Sequence, residues 1–538
     1  MTRNFIHDII RIVNRHFFNK FRAVPGPLKC KGVRLPMRHY ETTVQKLKDE
    51  VLTAVARLAW NQRLEGTALL NIPEEIIPGP EAQMRCCIYK ERAVVTSRIK
   101  MAMGGDRANP SLVEVLPVAC DECPVTEISV GPSCRGCIAH RCADVCPKGA
   151  ITIEKKRSVI DHSKCVLCGK CIEACPYGAI TKNVRPCERG CPVNAISMGE
   201  NSKATIDAKK CISCGQCVIQ CPFGAVMDKS YIVDVIQMLL GADKWGLHVY
   251  AIIAPSFVGQ FDCTPGQMAA ALKEIGFYDV QEVALGADLT AQTEAAEFEE
   301  RGGGPMTSSC CPAFVSFVER HMPDQVPLMS TTPSPMVMLG RNIKDRDPLA
   351  RVVFIGPCVA KKLEFHLGRT RASVDLVLTF EELYSMLAAR DIDVSSMPEA
   401  ELDHASGFGR AFAVGGGVAA AVAQGLKERG SSVEAKTVAC SGIEECKMAL
   451  LKMSKGVLPE NFIEGMACQG GCVQGPAVIN RSPKNKSEVA KHVKQAGERT
   501  IADAINHIGG PAAVPAASSD RKPGGAVEKA RAEAAAQA

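Results

Sequence analysis

The stretch Phe462-Ile-Glu-Gly-Met-Ala-Cys-Gln-Gly-Gly-Cys472 sets two cysteines, Cys468 and Cys472, around a pair of glycines, with Met466 just upstream. Thiolates are soft ligands suited to iron–sulfur clusters, and glycine lets backbone approach a large inorganic core. Two thiolates leave a four-cysteine cage half built. Further thiols stand far upstream: Cys310 and Cys311 in Thr307-Ser-Ser-Cys-Cys-Pro312, and Cys358 in Gly356-Pro-Cys-Val-Ala-Lys-Lys-Leu-Glu364. Such scatter suits a buried cavity assembled from several loops.

The chain has 538 residues, room for about three domains, and 46% of it is hydrophobic, ample for a large core. Its 64 basic and 58 acidic residues leave a net charge of +6, too small to indicate nucleic acid and no obstacle to an acidic electron carrier. Twenty-seven cysteines, recurring at short gaps in a chain this large, indicate metal binding rather than disulfides, and reduced thiols imply the cytoplasm. Met1 to Lys20 mixes charges with apolar residues and lacks a secretory apolar core; a surface helix docked on its own protein is expected there. No apolar run reaches the roughly 18 residues of a membrane span.

Four regions follow. Residues 1–110 are expected to be helical: Val44, Leu47, Val51, Leu52, Val55 and Leu58 recur at helical spacing within 43–62, and Pro25-Gly-Pro27 and Pro78-Gly-Pro80 punctuate the region. Cys30, Cys86 and Cys87 there lack ligand spacing. Residues 111–235 hold the cysteine repeats. Residues 236–508 alternate apolar runs with helical patterns, which predicts an α/β domain: strands at 247–254 and 351–356, helices at 229–242, 267–275 and 378–389. Residues 509–538, rich in Ala, Gly, Pro and charge, are expected to be disordered.

The repeats match the bacterial ferredoxin motif, so an α+β ferredoxin-like multi-cluster domain is expected. Cys165, Cys168, Cys171 and Cys175 precede Pro176; Cys211, Cys214, Cys217 and Cys221 precede Pro222; Cys134, Cys137, Cys142 and Cys146 carry two extra residues before Pro147. Each runs into a Gly-Ala turn and a strand. Zinc ribbons would give no reason for the proline-bounded fourth cysteine. In two-cluster ferredoxins the fourth cysteine ligates the other cluster. One cage then takes Cys134, Cys137, Cys142 and Cys175, and its partner takes Cys165, Cys168, Cys171 and Cys146. Cys187-x3-Cys191-Pro192 is half a motif. If Cys120 and Cys123 supply the missing pair, Cys191 joins Cys211, Cys214 and Cys217, while Cys120, Cys123 and Cys187 join Cys221. The alternative for Cys120 and Cys123 is an ordinary thiol turn, so three to four accessory [4Fe–4S] clusters are expected.

The three segments of the opening paragraph, in this order, resemble the signature of the [FeFe] hydrogenases, and the resemblance covers most of residues 120–508. It implies an H-cluster: a [4Fe–4S] cubane on Cys311, Cys358, Cys468 and Cys472, with Cys472 bridging to a two-iron subcluster bearing CO, cyanide and an azadithiolate, made by dedicated maturation proteins. It implies that Cys310 relays a proton, a task for which an ordinary thiol pKa of about 8.5 is suited. It assigns Glu294, Glu297 and Ser330 to the onward path; an exposed charged helix is the other reading of the two glutamates. Lys361 would hydrogen-bond one cyanide, Pro255 and Ser256 would address the other, Met466 would pack near the bridging CO with Phe412 retained nearby, and Glu364 would fix Lys361 or its loop. The implied reaction interconverts protons and electrons with H2, served by a soluble ferredoxin or a similar carrier.

The sequence also departs from that family. Gly356 replaces a common methionine, Gly416-Gly-Val-Ala-Ala420 replaces Gly-Gly-Val-Met-Glu, and Val473-Gln-Gly-Pro476 replaces a glycine triplet. A divergent subgroup with a reshaped cavity is expected. Cys263, Cys440 and Cys446 read as non-ligand thiols, and Gly415-Gly-Gly417 lacks the Lys-Ser/Thr of a nucleotide loop. Two rivals share the cubane cysteines. An H2 sensor would carry a signalling domain, and a non-enzymatic hydrogenase-like iron–sulfur assembly protein would need neither Cys310 nor so long a cluster array.

Overall fold

Two parallel sheets build the second half of the chain in the computed structural model, which describes residues 40–508 apart from Glu200, Arg369, Arg371 and Asp403. The expectations for Met1–Lys20, Pro25-Gly-Pro27, Cys30 and the tail from 509 lie outside those residues. One sheet runs in the order Asp279–Glu282, His248–Ile253, Ala350–Gly356, Leu376–Thr379, all parallel. The other runs Met306–Thr307, Phe462–Met466, Thr437–Ser441, also parallel. Strands covered on both faces read as unbroken apolar runs, which is why Val249–Ile253 and Val352–Ile355 are so regular in the sequence. Ile252, Ile253, Val352, Val353 and Ile355 are all fully buried.

Most expected elements shift by one to three residues. The helix expected at 267–275 spans Pro265–Glu274 and opens on a capping box between Thr264 and Gln267. That expected at 229–242 spans Ile232–Trp245, because Asp228 is still paired in a strand with Val113. One expectation needs correcting: a helix over 378–389 is wrong at its start. Leu378 and Thr379 end a strand, and the helix Phe380–Ala388 begins after Thr379, which forms a capping box with Glu382.

The cysteine repeats form one two-cluster unit nested inside another. In the inner unit, Glu127–Val130 pairs antiparallel with Ile180–Asn183 around the hairpin Ile151–Glu154/Arg157–Ile160. In the outer unit, Val113–Val115 pairs antiparallel with Val226–Asp228, and the hairpin is Ile196–Met198/Ala204–Ile206. The inner unit is thus inserted between Cys123 and Cys187, which explains why half a motif stands so far from its partner pair.

Helices Thr43–Trp60, Gly66–Ile76 and Ile88–Ala102 share a core with the α/β region, where Leu52, Val55 and Ala56 are 0–2% exposed. A buried ionic network ties the parts together. Lys48 Nζ donates to Asp228 at 2.9 Å and Glu381 at 2.7 Å; Lys362 Nζ, fully buried, donates to Asp228 at 2.8 Å and Glu382 at 2.9 Å. Although burial alone would raise the Asp228 pKa, the two lysines hold it well below the carboxylate range. Asp288 is the opposite case: burial pushes it up to about 7 against hydrogen bonds from the Ser406 hydroxyl and amide.

Two stability outcomes follow from these groups. Lys362→Met leaves Glu382 and half of Asp228 buried without their cation, at a cost of about 3–5 kcal/mol; thermal unfolding followed by circular dichroism should drop by several degrees. For Asp288, whose pKa is raised in the folded chain, the stabilisation is complete below its ordinary value near 3.8 and is lost as pH rises through about 7. The Asp288→Asn variant should therefore gain on the parent between those pH values, by up to about 4 kcal/mol, in denaturant titrations across that range.

Candidate metal centres

One backbone device recurs at all four ferredoxin-type turns. Three residues after the fourth cysteine of each motif the chain turns left-handed, at Gly149, Gly178 and Gly224 with φ of 55–56° and at Asn194 with φ 49°. Glycine and asparagine are the residues that adopt this conformation readily. The turn aims the next amide at sulfur: Ala150, Ala179, Ala195 and Ala225 donate to Cys146, Cys175, Cys191 and Cys221 at 3.2–3.4 Å. The truncated motif ending at Cys191 has this geometry in full.

Cys134, Cys137, Cys142 and Cys175 line one cavity, and Cys146, Cys165, Cys168 and Cys171 line a second. In the outer unit, burial pushes the Cys187 thiol up to about 11, with Cys221 and Cys120 among the charges that act on it. Cys123 is likewise raised, by burial, Cys221 and Cys120. Burial takes Cys214 up to about 12, with Cys211, Cys191 and Cys311 nearby. Among the described residues no three His, Cys, Asp or Glu side chains close on a space that suits a single metal ion.

The remaining cage is built at the carboxyl ends of the parallel strands, where α/β sheets place their ligands. Cys311 follows Met306–Thr307 at the start of helix Pro312–His321; Cys358 follows Ala350–Gly356; Cys468 and Cys472 follow Phe462–Met466. The four thiols face one another: burial and then Cys358 and Cys311 push Cys472 up to about 12, and the same influences with Cys472 push Cys468 well above the ordinary value. Burial and Cys311 raise Cys358 to about 11. Three thiols that resist ionisation, Cys358, Cys468 and Cys472, fit a polycationic iron–sulfur core, which displaces thiol protons on binding. Glycines make the loops meet. A Cβ on Gly471 would lie 2.7 Å from the Gly415 amide, and one on Gly475 would lie 2.4 Å from the Pro357 carbonyl.

Around this cage stand the other expected site residues. Lys361 Nζ donates to Glu364 at 2.6 Å, Ser334 Oγ at 2.8 Å and the Cys310 carbonyl at 3.3 Å. Burial alone would lower its pKa, but Glu364 overrides that and keeps it an ammonium. Pro255 and Ser256 form a buried turn after His248–Ile253, and Ser256 Oγ has no hydrogen-bond partner among the described residues. A buried hydroxyl left unpaired at the cage rim fits a ligand with acceptor atoms. Met466 is 3% and Phe412 7% exposed, and the Phe412 segment meets the cage loop through the Val473 amide on the Ala413 carbonyl. At Gly356, a Cβ would lie 2.6 Å from the Phe354 ring, which fills the space that a side chain at this position would take.

Glu294 and Glu297 do not lie on an exposed charged face. Glu294 is fully buried on helix Val283–Glu300 and accepts the Ser309 amide at 3.1 Å; Glu297 accepts Ser330 Oγ at 2.7 Å, the Thr331 amide at 2.9 Å and Arg301 at 2.6 Å. Burial alone would raise Glu297, yet the Thr331 amide, Ser330 and Arg301 bring it below the usual range. Burial, then Glu294 and Cys311, push the Cys310 thiol well up. Cys440 and Cys446 are buried in the second sheet's core; Cys446 Sγ lies 3.6 Å from the Met466 carbonyl.

Sequence reasoning missed three residues. Glu464, buried within the opening stretch, accepts the Gly416 and Ala419 amides at 2.9 Å and caps helix Gly417–Glu428. A lone carboxylate in an apolar strand was the available signal. Ser334 orients Lys361. Gly215, at φ 77°, brings the Cys214 cage against the site, since a Cβ there would lie 2.7 Å from Pro476 and 3.1 Å from Val359.

Two regions of the chain match known protein families. Residues 247–476 match the model for the iron only hydrogenase large subunit, C-terminal domain, and residues 133–179 and 184–225 match the 4Fe-4S dicluster domain. Iron hydrogenase 1 of Clostridium pasteurianum is 28% identical over 393 residues, 62% of this chain and 67% of that one. A cytosolic Fe-S cluster assembly factor of Kluyveromyces lactis is 37% identical over 93 residues, 17% of this chain and 20% of that one. An [FeFe]-hydrogenase structure from Chlamydomonas reinhardtii matches 49% of this chain and 89% of that one, at 23% identity and a TM-score of 0.42. The chain spans about half to two thirds of the length of the curated hydrogenases it matches. Among the described residues no helix is long and apolar enough to cross a membrane. The strand-end cysteine cage and the two matched models together make this chain a member of the [FeFe] hydrogenase family.

Proposed function

We propose that this chain is a cytoplasmic enzyme that interconverts protons and electrons with H2, exchanging electrons with a soluble ferredoxin or a similar carrier. The observation that carries the reading is the convergence of Cys311, Cys358, Cys468 and Cys472 beside Lys361, whose ammonium Glu364 and Ser334 hold in place. The four thiols would hold the cubane, and Cys472 would bridge to a two-iron subcluster supplied by maturation proteins. When bound, that H-cluster supplies an open metal position for H2 and an amine that exchanges protons.

The chain's own groups divide the remaining work. Lys361 and Ser256 are buried donors that would orient cyanide ligands which no covalent bond to protein fixes. Met466 and Phe412 keep water from the cage. Cys310 Sγ holds a proton in a setting that disfavours its thiolate, with Glu294 as the next acceptor. Ser330 passes it to Glu297, whose partner Arg301 is partly exposed. The cysteine groups of the ferredoxin-type region would hold three to four [4Fe–4S] clusters that supply electron transfer, the one on Cys191, Cys211, Cys214 and Cys217 lying against the site through Gly215. Residues 1–110 then serve as scaffold, 111–235 as relay and 236–508 as catalytic domain.

The similarity to an assembly factor favours a second reading, in which the same cage belongs to a protein without turnover. Infrared spectra of chain co-produced with maturation proteins separate the two: CO and cyanide bands are expected, and their absence from iron-complete protein would sink the enzyme reading. In matured protein, Cys310→Ser should keep those bands and lose about 10²–10⁴-fold in H2 evolution from reduced viologen. Parent-like turnover by that variant would remove Cys310 from the proton path.

A further inference from the structure

Two guanidinium groups are buried against one cage of the outer unit. Arg98 and Arg185 are 1% and 2% exposed. Arg98, on helix Ile88–Ala102, donates from Nη2 to the Gly224 carbonyl at 2.9 Å, on the very turn whose Ala225 amide donates to Cys221 Sγ. A Cβ on Gly224 would lie 2.1 Å from that Nη2, so the cation sits directly on the turn. Arg185 approaches from the other loops. Its Nε donates at 3.2 Å to the carbonyl of Pro124, next to Cys123, and its Nη2 donates at 2.7 Å to Ser202, close to the Ala204 amide that donates to Cys120 Sγ.

Neither arginine forms an ion pair with a carboxylate among the described residues, and Arg98 Nε and Arg185 Nη1 have no hydrogen-bond partner there. Glu188 is the carboxylate that acts on the same cage, through Cys187 and Cys123, but it pairs with neither guanidinium. Burying a cation without a paired counter-charge is unfavourable, which leaves that charge to what the cage holds. Burial pulls the Arg98 pKa down to about 10, the Cys221 thiolate is the charge that offsets it, and the group remains a cation at neutral pH. The adjacent cage has an arginine, Arg320, whose Nη1 donates to the Cys211 carbonyl at 2.7 Å, but it is only partly buried, and the groups that act on Cys214 and Cys217 are burial, a backbone amide and other cysteines.

We propose that Arg98 and Arg185 clamp the [4Fe–4S] cluster held by Cys120, Cys123, Cys187 and Cys221, raising its reduction potential above that of the Cys191, Cys211, Cys214 and Cys217 cluster. The inference rests on the proposed occupancy of that cage. Reduction adds one electron to the cluster, taken from an adjacent reduced cluster or an external one-electron carrier, and neither forms nor breaks a bond. The added negative charge is stabilised by two cations in a dry setting, which favours the reduced state. The clamped cluster is then an electron store one cage away from the site, suited to a two-electron reaction fed by one-electron donors.

The test is a redox titration, monitored by electron paramagnetic resonance, of iron-loaded parent, Arg98→Met, Arg185→Met and Arg98→Lys, after iron and sulfide counts. One accessory midpoint should fall in both Met variants, so that at the parent's midpoint the reduced-to-oxidised ratio drops about tenfold, or 59 mV for one electron. Arg98→Lys should stay close to the parent, and the signal that moves should be the one lost in Cys123→Ala. A fully loaded Met variant with unmoved midpoints overturns the clamp, as does an Arg98→Lys shift equal to that of Arg98→Met. If Arg98→Met loses the cluster, Arg185→Met reads the same potential from the opposite side; loss from both, and from Arg98→Lys, assigns the arginines to folding and overturns the proposal. A parent with iron for only three accessory clusters and no signal sensitive to Cys123 removes the underlying occupancy instead.

Discussion

Four thiols gathered at one point are the constraint on which the rest depends. Desolvation opposes each thiolate at Cys358, Cys468 and Cys472, and each opposes the others, so the cage is at odds with itself until a cationic core takes the place of the protons. A surface loop could not hold such a group of side chains. The chain solves this by ending parallel strands of two sheets near one locus and letting the following loops meet at Gly471 and Gly475, where a Cβ would collide with the backbone of Gly415 and Pro357. Both the fold and the glycines are consequences of the same demand for close, rigid convergence.

The proposed relay would answer a different demand, which is short distance between redox centres. Nesting one two-cluster unit in another satisfies it without disturbing the host. The inner unit enters along Glu127–Val130 and leaves along Ile180–Asn183, two paired strands whose ends are adjacent, so the outer pair Val113–Val115 and Val226–Asp228 closes as if nothing intervened. The left-handed turn after each fourth cysteine adds an amide to each sulfur, and hydrogen bonds of that kind favour reduction. Against this common background Arg98 and Arg185 stand out by their burial, at 1% and 2% exposure, where Arg320 beside the neighbouring cage is only partly buried.

The two inner cysteine groups that line common cavities were legible in the sequence because ligand identity, spacing and the Gly-Ala turn are local; the grouping of Cys311, Cys358, Cys468 and Cys472, scattered over distant loops, came from family resemblance. The alternation of strands and helices in the second half was legible too. The start of the helix at Phe380 was not, because Leu376-Val-Leu-Thr-Phe380 is apolar throughout and periodicity cannot divide it; the Thr379–Glu382 capping box marks the boundary. Whether Glu294 and Glu297 faced water was equally undecidable from their helix. Their burial is set by Ser309, Ser330 and Thr331, which arrive from other segments. The burial of Arg98 and Arg185 is of the same kind, being legible only once distant turns are in place.

The same reasoning gives the N-terminal helices a role that their composition does not reveal. Lys361 and Lys362 are adjacent on the short helix Ala360–Glu364, yet one donates to Glu364 and Ser334 at the site while the other donates to Asp228, the last residue of the outer relay strand. Lys48 reaches Asp228 from helix Thr43–Trp60, and Glu382 joins Lys362 to the Tyr231 amide at the head of the next helix. Buried ion networks are weak sources of net stability, since desolvation offsets most of their attraction, but they tolerate few alternative geometries. Placed at this junction, the network converts that intolerance into a fixed spacing between the relay and the loop that carries Lys361. A purely apolar contact would have held the parts together with less control over register, and electron transfer into a buried site depends on that register more than on the strength of the contact.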